Sequence, residues 1–169
     1  KFSRTSSGSV FRTESLQNIL TEALTLTEAK SKRHSTPISM SLSSNLYIHC
    51  DAVEIEQVLV NLINNGIDAV KKNEEKWIRI FGFEDQGQVV LQILDSVQGI
   101  STEIEQKLYQ PFFTTKPVGE GTGLGLSIAK GILDQHNAQL DLNRSFNNTC
   151  FEIRFKKVNP PIEEGNDAA

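Results

Sequence analysis

The apolar positions of the chain fall into alternating helical and strand-like stretches. From residue 11 the spacing becomes helical, with Leu16, Ile19, Leu20, Ala23 and Leu24 recurring every three or four residues up to Lys32 and Arg33. Pro37 closes that segment. Residues 38–42 alternate strictly, as a half-buried strand does, and 46–49 form a second short candidate. Asp51-Ala-Val-Glu54 has the form of a capping box, Asp as N-cap and Glu three residues on, and the apolar-rich helix it opens runs to residue 72 or so. Two β-rich runs follow, 77–83 and 88–94, separated by the turn Glu84-Asp85-Gln86-Gly87. A glycine-rich stretch with little regular pattern occupies 99–125. A helix over 124–136 and two strands, 139–143 and 149–155, complete the core. The pattern predicts an α+β domain: a two-layer sandwich in which a mixed, mostly antiparallel sheet of about five strands packs on about three helices. Residues 1–9, Ser-rich and aperiodic, read as a linker. Residues 159–169, polar with two prolines, read as a disordered tail, which leaves 10–158 as the folded domain.

The helix after Asp51 breaks a local rule. Glu54, Gln57, Asn61, Asn64, Asn65 and Asp68 fall within roughly a 100° arc, and nearly every other position is apolar. A solvated face is the plain reading of such a stripe. Exposed helix faces, however, are usually filled with Lys, Glu and Gln, whereas Asn and Asp are poor helix formers. Three amides converging on one cleft also offer neutral oxygen ligands to a hard cation such as Mg²⁺, which keeps several waters and leans on substrate phosphates. The stripe therefore reads as a site.

Composition narrows the class. Seventeen Lys and Arg against 21 Asp and Glu leave a net charge of −4, without the basic footprint of a nucleic-acid or anionic-membrane binder. No stretch reaches the roughly 20 apolar residues of a membrane span. Cys50 and Cys150, 100 residues apart in strand-like runs, read as buried free thiols rather than a disulfide or metal pair.

Lys116-Pro-Val-Gly119-Glu-Gly121-Thr-Gly123-Leu-Gly125-Leu-Ser127 leads directly into a helix. Closely spaced glycines let backbone N–H groups approach an anion, and the helix N-terminus adds a favourable dipole. A ligand-free surface loop is the alternative. No Gly-Lys-Ser/Thr follows, so this is not a Walker A loop. Asp95 ends the apolar run 89–94, where it is either a strand-terminating turn residue or a carboxylate placed to accept a hydrogen bond from a buried donor such as an adenine amine.

In this order the segments resemble the ATP-binding catalytic domain of sensor histidine kinases, of the Bergerat-fold superfamily. Gln57-Val-Leu-Val-Asn61-Leu-Ile-Asn-Asn65-Gly-Ile-Asp-Ala69 resembles its N box, and Asp95-Ser-Val-Gln-Gly99-Ile its first glycine box. Pro111-Phe112-Phe113-Thr114-Thr115-Lys116 resembles the F box, and Gly121-Thr-Gly123-Leu-Gly125-Leu-Ser127 the second glycine box. The resemblance implies ATP and Mg²⁺ as cofactors. It makes Asn65 the Mg²⁺ ligand and Asn61 its support, and has Asp95 bind the adenine amine with help from Thr149 through water. Asp68, Gly99, Ile100, Gly121, Thr122, Gly123, Leu124, Gly125 and Leu126 join the nucleotide contacts, the last glycine box through its backbone. Lys116 reaches the γ-phosphate from a mobile lid, and Phe112 and Phe113 anchor that lid by burying their rings. Asn61, Asn65 and Lys116 are then the candidate catalytic groups.

Position 61 bears on the reaction. Hydrolysing members of the superfamily carry a Glu there as general base, and Asn cannot take a proton. ATP is then held for an external nucleophile, which disfavours a gyrase- or MutL-like ATPase. The expected nucleophile is a histidine on a separate dimerisation and phosphoacceptor domain, and a response regulator is the next partner. His34, His49 and His136 lack the acidic residue that follows family acceptor histidines and read as surface or packing residues. Lys1-Phe2-Ser3-Arg4 resembles the end of an acceptor hairpin, so the chain reads as the C-terminal part of a longer kinase. The expected state is a monomer for this piece and a homodimer for the whole. The expected place is the cytoplasm, including the cytoplasmic part of a membrane-anchored bacterial sensor. Four positions depart from the pattern: Val97, Asn137-Ala138 and Asn148 stand where glycines are usual. A β-branched Val97 on a left-handed backbone implies strain on the order of 1–3 kcal/mol and loss of affinity. That departure supports a second reading, a degenerate kinase domain serving as a docking or nucleotide-sensing module.

Overall fold

Local sequence accounts for the three long helices of the computed structural model, which describes residues 10–161. Helix α1 (Leu16–Arg33) buries Leu16, Ile19, Leu20, Ala23 and Thr27, the three- and four-residue spacing of one helical face. Helix α2 (Ala52–Val70) starts where the carboxylate of Asp51 accepts hydrogen bonds from Val53 N (3.0 Å) and Glu54 N (3.2 Å). The reciprocal half of the capping box is replaced: Asp51 N–H donates to His136 Nε2 at 3.1 Å. Helix α3 (Thr102–Glu105) is a single turn, and α4 (Gly125–Gln135) follows the glycine-rich stretch.

The sheet is mixed and mostly antiparallel, as expected, and has seven strands among the described residues: β1 (Arg12–Ser15), β2 (Ile38–Leu42), β3 (Tyr47–Cys50), β4 (Ile78–Asp85), β5 (Gln88–Gln98), β6 (Gln139–Leu142) and β7 (Asn148–Val158). Their order is β1-β3-β7-β5-β4-β2, with β6 pairing β7 off that path. Only β2 and β4 are parallel; the other pairs are antiparallel. β1 falls where the helical pattern was expected to begin. Its four residues find partners only in β3, so their own sequence carries little strand signal.

The core lies between one face of the sheet and the helices. Leu20, Leu59, Leu62, Ile63 and Ile67 meet Ile78, Ile80, Leu91 and Ile153, all fully buried. Helix α2 packs against α1, α4 and β5, which explains why it is apolar around most of its circumference. Cys50 and Cys150 are buried free thiols, and burial pushes each up to about 12, so neither is a reactive thiolate. Among the described residues no helix is long and apolar enough to cross a membrane. The expected linker at 1–9 lies outside the described residues, as does the expected tail beyond residue 161.

Candidate functional site

The polar stripe of α2 forms one wall of a cleft of about 900 Å³. Asn61, Asn64, Asn65 and Asp68 line it; Glu54 and Gln57, nearer the N-terminus, do not. Gln57 is exposed to solvent and Glu54 sits 3.9 Å from His136 Nε2. A helix of 19 residues is about 28 Å long at 1.5 Å per residue, so the cleft takes only part of one face.

The floor is the end of β5. Between Leu94 and Gln98 the β5–β7 register shifts in a bulge, and Asp95 and Val97 sit within it. Bulges re-aim side chains beside functional sites, and both residues line the cleft. Gly66 lets the helix lie close here: a Cβ would come 2.6 Å from Ile78 Cδ1 and 3.6 Å from Asp95 Cβ. Asp95 is 6% exposed. Burial pushes its carboxyl up to about 7, against the opposing hydrogen bond from Val97 N–H to Oδ1 at 2.9 Å. Thr149, on β7, borders the same pocket.

The glycine-rich stretch forms the opposite wall. Gly123 has φ +66°, and a Cβ there would lie 2.4 Å from the carbonyl carbon of Phe112, so this crossing requires glycine. Phe112 N–H donates to Gly123 O at 2.9 Å. Asn61 Nδ2 spans the cleft to Gly125 O (3.3 Å), tying the stripe to the start of α4. The two phenylalanines divide: Phe113 packs on the core, while Phe112 is 75% exposed with φ +68°. Phe112 therefore does not anchor the lid through its ring, because the turn that clips it to Gly123 points the residue outward.

Of the residues expected at the site, the structure brings Asn61, Asn65, Asp68, Asp95, Gly99, Ile100, Lys116, Gly121, Thr122, Gly123, Gly125, Leu126 and Thr149 around this one cleft. Leu124 is the exception. It caps α4, its carbonyl accepting from Ser127 Oγ (2.9 Å) and Ile128 N (2.9 Å), and does not line the pocket. The departures from the glycine pattern are also accommodated. Val97 lies within β5 and outside the left-handed region, so the expected strain is absent. Asn148 Nδ2 reaches Val97 O at 3.5 Å, joining two of the departures in one contact. Asn137 takes the left-handed turn at φ +52°.

A cluster of charges lies where α2 meets the lid. Asp68 binds Lys116 through Oδ2 (2.6 Å) and Lys30 of α1 through Oδ1 (2.7 Å). Burial acts to raise the Asp68 carboxyl, but hydrogen bonds from Lys116 and Lys30 outweigh it and hold the group below its ordinary value. Lys116 Nζ also contacts Asn65 Oδ1 at 3.3 Å. Lys71 at the end of α2 pairs with Glu120 of the lid at 2.5 Å. Lys30, Gly66, Lys71 and Glu120 carried no signal in the sequence, because each partner lies far along the chain.

Residues 50–159 match the family model described as histidine kinase-, DNA gyrase B-, and HSP90-like ATPase. The chain belongs to this family. The C4-dicarboxylate transport sensor protein DctS of Rhodobacter capsulatus is 31% identical over 159 residues, 90% of this chain but 23% of that protein. Sensor protein FixL of Bradyrhizobium diazoefficiens is 29% identical over 131 residues, covering 76% and 26% respectively. The chain thus spans about a quarter of these relatives. A nucleotide-free catalytic domain of histidine kinase ThkA superposes with a TM-score of 0.77 at 30% identity, covering 88% of this chain and 96% of that one. The histidine-kinase-like ATPase domain is therefore the unit the fold builds. Two features fit its cleft to a cation-bearing nucleotide. Asn65 Oδ1 already holds an ammonium group, and Asn64 Oδ1 is buried without a hydrogen-bond partner among the described residues.

Proposed function

We propose that this domain binds ATP with Mg²⁺ in the cleft and presents the γ-phosphoryl group to a histidine on a separate dimerisation and phosphoacceptor domain. A response regulator then receives the group. The observation that carries the reading is the convergence of Asn65, Asp95, Lys116 and the glycine-rich wall on a single 900 Å³ cleft. Asp95 would accept from the adenine amine, with Thr149 beside it. Asn65, supported by Asn61, would hold the metal ion, which supplies charge neutralisation at the phosphates. The backbone of 121–126 and the N-terminus of α4 would face the phosphates, and Lys116 would approach the γ-phosphate.

The residue one turn before Asn65 is Asn61, an amide already committed to Gly125 O. It cannot remove a proton from water, so positioning and electrostatics carry the catalysis rather than hydrolysis. The complex of histidine kinase ThkA with the response regulator protein TrrA, whose kinase matches this chain with a TM-score of 0.71 at 25% identity, supports the partner class. The corresponding place is the cytoplasm.

Calorimetric titration with a non-hydrolysable ATP analogue, with and without Mg²⁺, tests the first half. Micromolar binding, about −8 kcal/mol, is expected. Absence of heat at millimolar nucleotide from folded protein would overturn it. Formation of phosphohistidine on an added acceptor domain tests the second half.

A further inference from the structure

The charge cluster at the lid holds more positive charge than its own chemistry requires. Asp68 is one carboxylate with two ammonium groups on it, one on each oxygen. Its two lysines are not equivalent. Lys30 is fixed to the scaffold: it rises from the last turn of α1, and its Nζ also donates to Asn64 O of α2 at 3.3 Å. Lys116 belongs to the lid, and besides Asp68 it holds Asn65 Oδ1, the amide oxygen assigned above to a metal ion. A lone amide oxygen in that position serves an ammonium or a divalent ion, but one close cation excludes another by charge.

We infer that Lys116 is a resident stand-in for the divalent cation, latching the lid onto Asn65 and Asp68 until nucleotide arrives, and that Lys30 is a positioning residue that keeps Asp68 neutralised and in place when Lys116 leaves. The inference rests on the nucleotide reading for what displaces the latch. Asp68, Lys30 and Lys116 together carry a net charge of about +1 beside the cleft, attractive to a polyphosphate and repulsive to a free divalent ion. After the exchange, Lys116 is released toward the phosphates while the Lys30–Asp68 pair, now neutral, still braces α1 against α2. Removing Lys30 leaves Asp68 to Lys116 alone. The latch then tightens, and the release that admits nucleotide becomes harder. The Lys71–Glu120 pair tethers the lid without touching Asn65, so it provides an internal control.

Two measurements on the described domain test this. Amide hydrogen exchange across residues 114–122 is followed without nucleotide in wild type, Asp68→Asn, Lys30→Met and Glu120→Gln. Loss of Asp68 is expected to speed lid exchange about fivefold, and loss of Lys30 to slow it about twofold or more. Equal rates in wild type and Asp68→Asn, or faster exchange in Lys30→Met, would overturn the latch. The affinity of a non-hydrolysable ATP analogue is then measured with and without Mg²⁺. Lys116→Met, a change on the lid that leaves the core intact, is expected to increase the Mg²⁺ dependence about tenfold over wild type, because the metal-free site has lost its resident cation. Glu120→Gln should match wild type in that ratio. An unchanged ratio in Lys116→Met would refute the stand-in role. If wild type binds no nucleotide the ATP reading fails, whereas the latch still stands or falls on the exchange rates of Asp68→Asn.

Discussion

A single carboxylate illustrates how the site sets itself against stability. Asp95 sits 6% exposed between α2 and the bulge of β5, its pKa raised by burial from 3.8 to about 7. The folded state therefore binds a proton that the unfolded chain releases, so the domain loses stability as pH rises from about 4 to about 7. Asp95→Asn removes that penalty. The variant is expected to be more stable than wild type at pH 8, by up to about 4 kcal/mol, with the gain fading toward pH 4. Urea unfolding at the two pH values checks the sign, and the same variant should bind the ATP analogue at least tenfold more weakly. Val97 makes the opposite point. Because its backbone is extended, Val97→Gly has no strain to release and should change nucleotide affinity by less than about threefold. A gain of tens-fold by calorimetry would restore the degenerate-module reading.

Elements bring these residues together, and two of them are coupled at their far ends. His136, whose side chain is fully buried, accepts from Asp51 N through Nε2 and donates from Nδ1 to Ile132 O at 2.8 Å. A proton on Nδ1 satisfies both bonds, and the Phe11 ring packs against the imidazole in a tilted arrangement at 4.6 Å. The start of α2 and the end of α4 are thereby joined, while their other portions flank the cleft. His136→Ala leaves a cavity and an unpaired Asp51 N–H, so a loss of about 2–4 kcal/mol is expected in denaturant unfolding. The lid divides in the same way. Phe113→Ala should cost about 1–3 kcal/mol because its ring packs on the core. Phe112→Ala, at an exposed ring, should stay within about 0.5 kcal/mol by the same measurement.

The large exposed apolar side chains, Leu26, Val53, Phe112 and Val118 among them, are spread over α1, α2 and the lid. Dispersed groups of this kind are ordinary for a soluble surface, and light scattering of the domain alone should report a monomer. A stable dimer would show that the domain carries an association surface of its own.

At the scale of the whole chain, the parts legible in sequence were those governed by neighbours within a turn or two. Helices α1, α2 and α4, the Asp51 cap, the central strands and the polar stripe follow from periodicity and short-range side-chain chemistry. The four motifs, with Asn61, Asn65, Asp95 and the glycine-rich wall, were likewise present as local strings. Strand β1 was hidden because its pairing with β3 has no local signature, and Leu124 and Phe112 because a motif string does not say which way a loop residue turns. The links from Lys30 to Asp68, Lys71 to Glu120, His136 to Asp51 and Gly66 to Ile78 were set only when the chain folded. Each joins groups distant in sequence, and such contacts depend on how helices cross and how closely they lie on the sheet. The order of elements and their apolar faces thus came from the sequence, whereas the charge balance at the lid and the ionisation of Asp95 came from tertiary packing, because burial and opposing charges act through space.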